Sequence, residues 1–316
     1  MNLQTQIPLK KQPHNLIDYN SKLLLLGSCF SENIGNKLHY FKFQVNQNPF
    51  GILFHPKAIE TLITNAVNEK NYAETDIFKL NERWHCFDVH SSLSEIKKEG
   101  LLQNINTATQ FTLTKLLSAS HIIITLGTAW VYRFISSDHI VANCHKVPQK
   151  QFLKELLSVE EIAASLENTY TLIKSINPKA NIIFTVSPVR HLKDGFIENQ
   201  RSKSHLFAGI HEVVVPRKQV YYFPSYEILM DELRDYRFYN SDMIHPNETA
   251  VSYIWEKFSE TWFSENTLQT LKKVEEIQKG LAHKPFNSNS EAHLKFLEKL
   301  KFKQEQLQKE FSFMKF

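Results

Sequence analysis

Glycine is scarce. The 316-residue chain contains eight, where average usage of about 7% would supply roughly twenty-two. The chain has no low-complexity linker and no internal repeat. Each glycine in so poor a background marks a place where a side chain is not tolerated. Gly27 follows an apolar run, Gly51 closes Asn48-Pro49-Phe50-Gly51, and Gly127 follows a second apolar run. Taken singly, each is an ordinary turn residue. Together they mark points where backbone could approach a substrate closely.

Cysteine is also sparse, with Cys29, Cys86 and Cys144 alone. An odd number fits a disulfide framework poorly, and the spacings match no zinc pattern. The opening residues lack the apolar segment of a signal peptide, so reduced thiols in a cytoplasmic protein are expected. The run Leu23 to Leu26 is strand length, far below the ~18 apolar residues of a membrane span, which argues against a membrane partner. Charge is not concentrated either. Lys and Arg number 37 against 33 Asp and Glu, a net +4, and the basic residues are scattered, which argues against a nucleic-acid partner. Hydrophobic residues at 42% and charged residues at 22% describe an ordinary folded chain. The 23 phenylalanines point to a bulky core or an apolar groove.

Along the chain, short continuous apolar runs alternate with helical patterns. Strands are expected at Lys22–Leu26, His121–Thr125, Asn181–Val186 and Gln219–Phe223, with a short one at Ile140–Ala142. Helices are expected at Ser31–Tyr40, Asn104–Leu117, Val159–Ile176, after Pro188 through Ala208, at Tyr226–Leu233 and at Glu248–Phe263. Ser158 and Glu161 supply a capping box for the third of these. The pattern predicts an α/β fold of three layers, a mostly parallel sheet with helices on both faces. Ligands then bind at the carboxyl ends of the strands. Residues 1–264 are expected to form this domain. Residues 265–316 carry two further apolar stripes, Leu268-Leu271-Val274-Ile277 and Leu297-Leu300-Leu307-Phe311, separated at His283–Ser290. They read as amphipathic helices, either docked on the domain or serving as a partner-binding or dimerising arm.

Two segments carry candidate chemistry. Leu26-Gly27-Ser28-Cys29-Phe30-Ser31-Glu32 runs strand, tight turn, helix. A side chain there projects from the sheet edge at a helix N-terminus, where free N–H groups and the dipole favour negative charge. Cys29 is thus expected to have a lowered pKa, and its own N–H could help hold an oxyanion. Near the other end, Asp242 and His245 lie three apart in a loop leading into a helix. The carboxylate could fix the imidazole tautomer and leave the other ring nitrogen as a base. Pro246 suits the first turn of that helix.

The ordered motifs Gly27-Ser28-Cys29-Phe30-Ser31, Asn48-Pro49-Phe50-Gly51, Leu126-Gly127-Thr128-Ala129-Trp130, Asn143-Cys144-His145-Lys146, Ser187-Pro188-Val189-Arg190-His191 and Asp242-x-x-His245-Pro246 resemble the GSCFA family, within the SGNH-hydrolase group of folds. The resemblance extends to His283-Lys284-Pro285 and covers nearly the whole chain. It implies an esterase or acyltransferase acting through an acyl-enzyme on a small-molecule or carbohydrate ester or thioester. It places the nucleophile at Cys29, with Ser28 as the alternative, and the acid–base pair at Asp242 and His245. Oxyanion donors would be the N–H groups of Cys29 and Gly51. The SGNH pattern has an Asn where this chain has Ala129. Loss of one such donor costs about 3 kcal/mol in another acyl-transfer enzyme, and Asn48, Asn143 and Thr128 are the candidates to replace it. His145-Lys146 and Arg190-His191 are candidates for binding an anionic substrate group, as is Asn143. Trp84, His85 and His90 form a pocket wall or simply pack. Nothing in the sequence calls for a metal, nucleotide or other cofactor. The Ala129 departure and the cysteine nucleophile leave a rival reading, a non-catalytic ligand- or partner-binding protein.

Overall fold

In a computed structural model, which describes residues 5–316, five strands form one parallel sheet. They are β1 (Lys22–Gly27), β2 (Gln44–Gln47), β5 (His121–Leu126), β9 (Asn181–Val186) and β10 (Val220–Tyr222). Their order is β10-β9-β5-β1-β2. Every pairing is parallel, with Leu25 opposite Ile123 and Ile123 opposite Ile183. The order reverses between β1 and β5, and a crevice opens at such a switch point, outside the carboxyl ends of the strands. The remaining strands are β3 (Phe78–Leu80) and β4 (Arg83–His85), an antiparallel pair, and β6 (Trp130–Phe134), β7 (His139–Val141) and β8 (Phe152–Leu156), a small antiparallel sheet ordered β7-β6-β8.

The strands are apolar on both faces because both faces are covered. Side chains alternate across a strand. Leu24, Leu26, Ile122, Ile124, Ile182 and Phe184 face one hydrophobic core and Leu23, Leu25, Ile123 and Ile183 face the other. The first core is closed by α2 (Pro56–Val67), α3 (Lys98–Ser118), α4 (Val159–Ile176) and α5 (Phe196–Val213). The second is closed by α1 (Cys29–Tyr40) and α7 (Glu248–Trp262), together with α8 (Glu265–Ala282) and α9 (Glu291–Glu310). The short α6 (Ser225–Glu227) runs on into a π-helical turn, Ile228–Leu233. Leu271, Val274, Ile277, Leu300 and Leu307 are buried in the second core, with Leu268 and Phe311 partly buried against it, whereas Leu297 of the expected second stripe is exposed. No described helix is long and apolar enough to cross a membrane.

The three-layer α/β architecture agrees with the sequence pattern, and the Ser158–Glu161 capping box is formed in both directions. Several features differ. Helix α2 (Pro56–Val67) is not among the expected helices, although Ile59, Leu62, Ile63 and Ala66 form its buried face. The edge strand β2 carries only one buried residue, Val45, so it shows no apolar run to read. The strands β3, β4, β6 and β8 are half-exposed pieces of small antiparallel sheets. Tyr226–Leu233 is not a regular α-helix but a helical turn followed by a π-turn.

One turn positions the site. Gly27 has φ +133, and a Cβ there would lie 2.1 Å from the Thr125 carbonyl oxygen on the neighbouring strand. The Gly27 N–H donates to Asn48 Oδ1 at 2.9 Å, and the Asn48 N–H donates to the Leu25 carbonyl at 2.9 Å. Ser28 N–H reaches the Thr125 carbonyl at 3.0 Å. Gly27→Ala combines a forbidden backbone conformation with a backbone collision and is expected to destabilise the fold by at least about 2 kcal/mol. Urea unfolding checks this.

Candidate active site

Helix α1 begins directly after the turn. Ser28 is its N-cap, with Oγ accepting from Phe30 N–H at 3.3 Å. Ser31 Oγ donates to the Leu26 carbonyl at 3.1 Å and lies 2.9 Å from Thr125 Oγ1. These contacts lock the first helical turn to β1 and β5. Ser28 is 1% exposed and points into this bracing. Cys29, the next residue, lines an open cleft of about 670 Å³. The turn thus presents Cys29 and spends Ser28 as a cap. As the first helical residue, Cys29 has a backbone N–H with no intrahelical acceptor.

His245 lines the same cleft, with Glu32, Asn33 and Asn36 of α1 and Asn240 beside it. Its Nδ1 lies 2.7 Å from Asp242 Oδ2. Asp242 Oδ1 accepts from the backbone N–H groups of Ile244 at 2.9 Å and His245 at 3.0 Å. Those two N–H groups and the imidazole hold the Asp242 carboxyl down to about 2. An ionised Asp242 can only accept, so the Nδ1 proton sits between them and Nε2 carries the lone pair. Pro246 is not in the helix's first turn. It precedes the N-cap Asn247, whose Oδ1 accepts from Ala250 N–H at 3.1 Å, and pairs across to Tyr239. That pairing closes the loop carrying Asp242 and His245.

The Cys29 thiol does not have the lowered pKa expected of a helix N-terminus. Burial pushes it up, and the Glu32 carboxylate one turn along adds to this. The N–H groups of Phe30 and Cys29 and the positive charge of Lys203 pull the other way but do not win. Cys29 therefore rests as a thiol.

The other candidates are distributed differently from the sequence-based expectation. Gly51 N–H is not free, because it donates to the Asn48 carbonyl at 2.8 Å. Gly51 is a glycine because a Cβ there would sit 2.5 Å from His90 Cβ. The Asn48 amide braces the Gly27 turn and reaches Glu32 at 3.5 Å. Thr128 Oγ1 lies 2.9 Å from Ser202 Oγ, which also accepts the Ala129 N–H at 2.7 Å. At the position where an Asn amide would point outward, the backbone is thus tied down to α5. His145 is 4% exposed, with Nε2 2.7 Å from the Cys86 carbonyl. It packs among Phe78, His85 and Phe87, so it is a core residue of the small sheets and not a substrate contact. Lys146 is exposed and lines none of the clefts. Trp84 and His85 pack, with His85 Nδ1 2.7 Å from Ser94 Oγ, and His90 caps the short turn Ser91–Leu93.

Two neighbouring cavities hold the rest. Asn143 and His191 line one of about 230 Å³, with Phe54, Thr128 and Trp130. Arg190 lines another of about 500 Å³, which it shares with Asp242 and Tyr239. Arg190 Nη2 faces only the sulfur of Met230, at 3.1 Å, and its Nε is buried without a partner. Among the described residues no three His, Cys, Asp or Glu side chains are grouped as a metal-binding set.

Lys203 escaped sequence reasoning. It is fully buried on α5, and its Nζ donates to the Ser187 carbonyl at 2.7 Å. The signal was present. Asn199, Ser202, Leu206, Ile210 and Val213 form the buried face of that helix, and Lys203 sits among them at helical spacing, where a lysine is out of place.

A model described as the GSCFA family matches residues 22–258, and one described as the C-terminal domain of GSCFA domain proteins matches residues 274–316. No curated protein sequence matches the chain. Among solved structures, similar folds include a mutant acetyl esterase with an acetate ion, at 10% identity and TM-score 0.37, covering 80% of this chain and 99% of that one. Another is a carbohydrate esterase family 3 protein from Talaromyces cellulolyticus, at 10% identity and TM-score 0.36, covering 80% and 98%.

The Asp242 carboxyl is depressed from an ordinary 3.8 to about 2. Its contribution to stability is therefore present above the ordinary value and is lost as pH falls through the folded one. The melting-temperature difference between the wild type and Asp242→Asn is expected to shrink as pH drops over that interval. A constant difference would mean the carboxylate charge plays no part in holding the loop.

Proposed function

Because this chain belongs to the GSCFA family, and its cleft joins a cysteine at a helix start to a histidine held by a carboxylate, we propose that it cleaves or transfers an acyl group through a Cys29 acyl-enzyme. The observation that carries the reading is that Cys29 and His245 line one cleft while Asp242 occupies Nδ1 of His245. His245 Nε2 takes the Sγ proton, and the sulfur attacks the carbonyl carbon of an ester or thioester. The Cys29 N–H stabilises the oxyanion. On collapse the bond to the leaving oxygen or sulfur breaks, and the imidazolium returns its proton to that group. Water, or the hydroxyl of an acceptor, then attacks the Cys29 thioester with His245 again as base. Asp242 stays ionised throughout and holds the imidazole.

Activated acetate esters and thioesters test this, with trapping of acyl-Cys29 by mass spectrometry. Cys29→Ala and His245→Ala are each expected to lower kcat/KM by about a thousandfold or more. The engaged Gly51 N–H, Thr128 hydroxyl and Ala129 N–H leave few oxyanion donors, and this favours a second reading, a ligand-binding protein without turnover. Absence of acyl-Cys29 with every ester, and no effect of His245→Ala on any turnover, would select that reading.

Arg190 supports a further preference. Its guanidinium lines a cavity walled by Asp242 and pairs with no carboxylate among the described residues. A substrate bearing a carboxylate or phosphate would fill that vacancy in charge. Arg190→Met is expected to raise KM about tenfold for an anionic ester, leaving kcat and neutral esters unchanged. Equal effects on both esters would remove the assignment.

A further inference from the structure

The loop that carries Asp242 and His245 borders two cavities. His245 lines the cleft with Cys29, whereas Met243 and Ile244 of the same loop line another, of about 500 Å³. That volume lies in the range of small-molecule sites. Its walls are mostly apolar. Leu192 and Phe196 come from the segment leading into α5, Leu229 and Met230 from the π-helical turn, and Met243 and Ile244 from the loop. Around this cavity Phe196 is 63% exposed, Met243 51% and Tyr236 77%. Single exposed apolar side chains are ordinary, but several gathered round one cavity form a patch that marks a binding surface. Met243 also has φ +58, a conformation that Asn, Asp and Gly favour. The shape of the loop gives no reason for a methionine there, and the cavity does. One part of the cavity is polar. Arg190 Nη2 faces the Met230 sulfur at 3.1 Å, and its Nε is buried without a partner. The Tyr239 hydroxyl ends on the same sulfur, at 3.6 Å. A thioether is a weak acceptor, so two strong donors converge where no strong acceptor stands among the described residues. The two carboxylates that line the cavity are engaged elsewhere. Asp242 accepts from Ile244 and His245, and Asp235 pairs with Arg237 at 3.0 Å.

We propose that this cavity binds a single-chain amphiphilic anion, a hydrocarbon chain ending in a carboxylate or phosphate. The head accepts from the Arg190 guanidinium, whose planar fork matches either group, and from the Tyr239 hydroxyl. The chain lies against Phe196, Leu229 and Met243 and removes their apolar surface from water. Neither half suffices alone. A bare anion exchanges hydrogen bonds with water for hydrogen bonds with the protein at little net gain, and a bare chain leaves the Arg190 Nε unpaired. The inference deepens the charge preference assigned to Arg190 and rests on the cavity itself, so it needs no acyl-enzyme.

Isothermal titration calorimetry on the full chain tests the site without turnover. Octanoate and octyl phosphate are the probes, and the tighter of the two identifies the head. Across butanoate, hexanoate and octanoate, affinity is expected to rise roughly threefold per methylene. The uncharged 1-octanol is expected to bind at least about tenfold more weakly than octanoate. Arg190→Met is expected to weaken octanoate about tenfold and to leave 1-octanol unchanged. Phe196→Ala, at an exposed position, is expected to weaken both about threefold. Absence of binding by both amphiphiles at millimolar concentration overturns the proposal. So does an affinity that ignores chain length, or octanoate binding untouched by Arg190→Met. Octanoate binding with no acyl-Cys29 from any ester removes the acyl-enzyme and leaves this site standing. Acyl-Cys29 without binding of either amphiphile removes this site alone.

Discussion

The contact between the backbone of Gly27 and the Thr125 carbonyl governs the rest of the site. At the switch point the chain must leave β1, turn within one residue and start α1 while still packed on β5. Only a residue without a Cβ fits, since any side chain would meet the Thr125 oxygen at 2.1 Å. Asn48 completes the arrangement by bonding to the end of β1 at both Leu25 and Gly27. Ser28 is pulled inward to cap the helix and Ser31 is tied to both strands. What remains pointing outward is Cys29. The position of Cys29 is thus a by-product of how tightly two parallel strands and a helix start can be joined.

The electrostatics of the site are arranged around a thiol that is hard to ionise. Helix N-termini favour anions by a modest amount, and desolvation with a neighbouring carboxylate outweighs that here. At the open rim, Asp242 is held ionised by backbone N–H groups and fixes His245 as a base. Inside, Lys203 is fully buried, with no carboxylate partner among the described residues.

The C-terminal helices belong to the same physical economy as the sheet. β1 and β5 are apolar on both faces, so the face opposite α2–α5 also needs a cover. α1 and α7 supply part of it, and Leu271, Val274, Ile277, Leu300 and Leu307 supply more. Glu275 of α8 reaches the edge of the cleft that holds Cys29 and His245. The extension therefore helps shape the wall of the site while it covers the core.

Sequence by itself determined the parallel α/β core, because five- and six-residue apolar runs such as His121–Thr125 and Asn181–Val186 read as doubly covered strands. It also determined the Gly27–Cys29 turn and the Asp242–His245 pair, because both are local: the residues that make them lie within a few positions of one another. It did not determine β2 or the small antiparallel sheets, whose half-exposed residues carry no strong pattern. Tertiary structure alone decided that a Cβ at Gly51 would meet His90, that Thr128 and Ala129 are tied down, that His145 is a packed core residue, and that Lys203 is fully buried against the Ser187 carbonyl. Each depends on a partner distant in sequence, such as His90, Ser202, Cys86 or Ser187. Whether a donor is free or a charge is paired is a property of the neighbours that folding brings, and no local spacing encodes it.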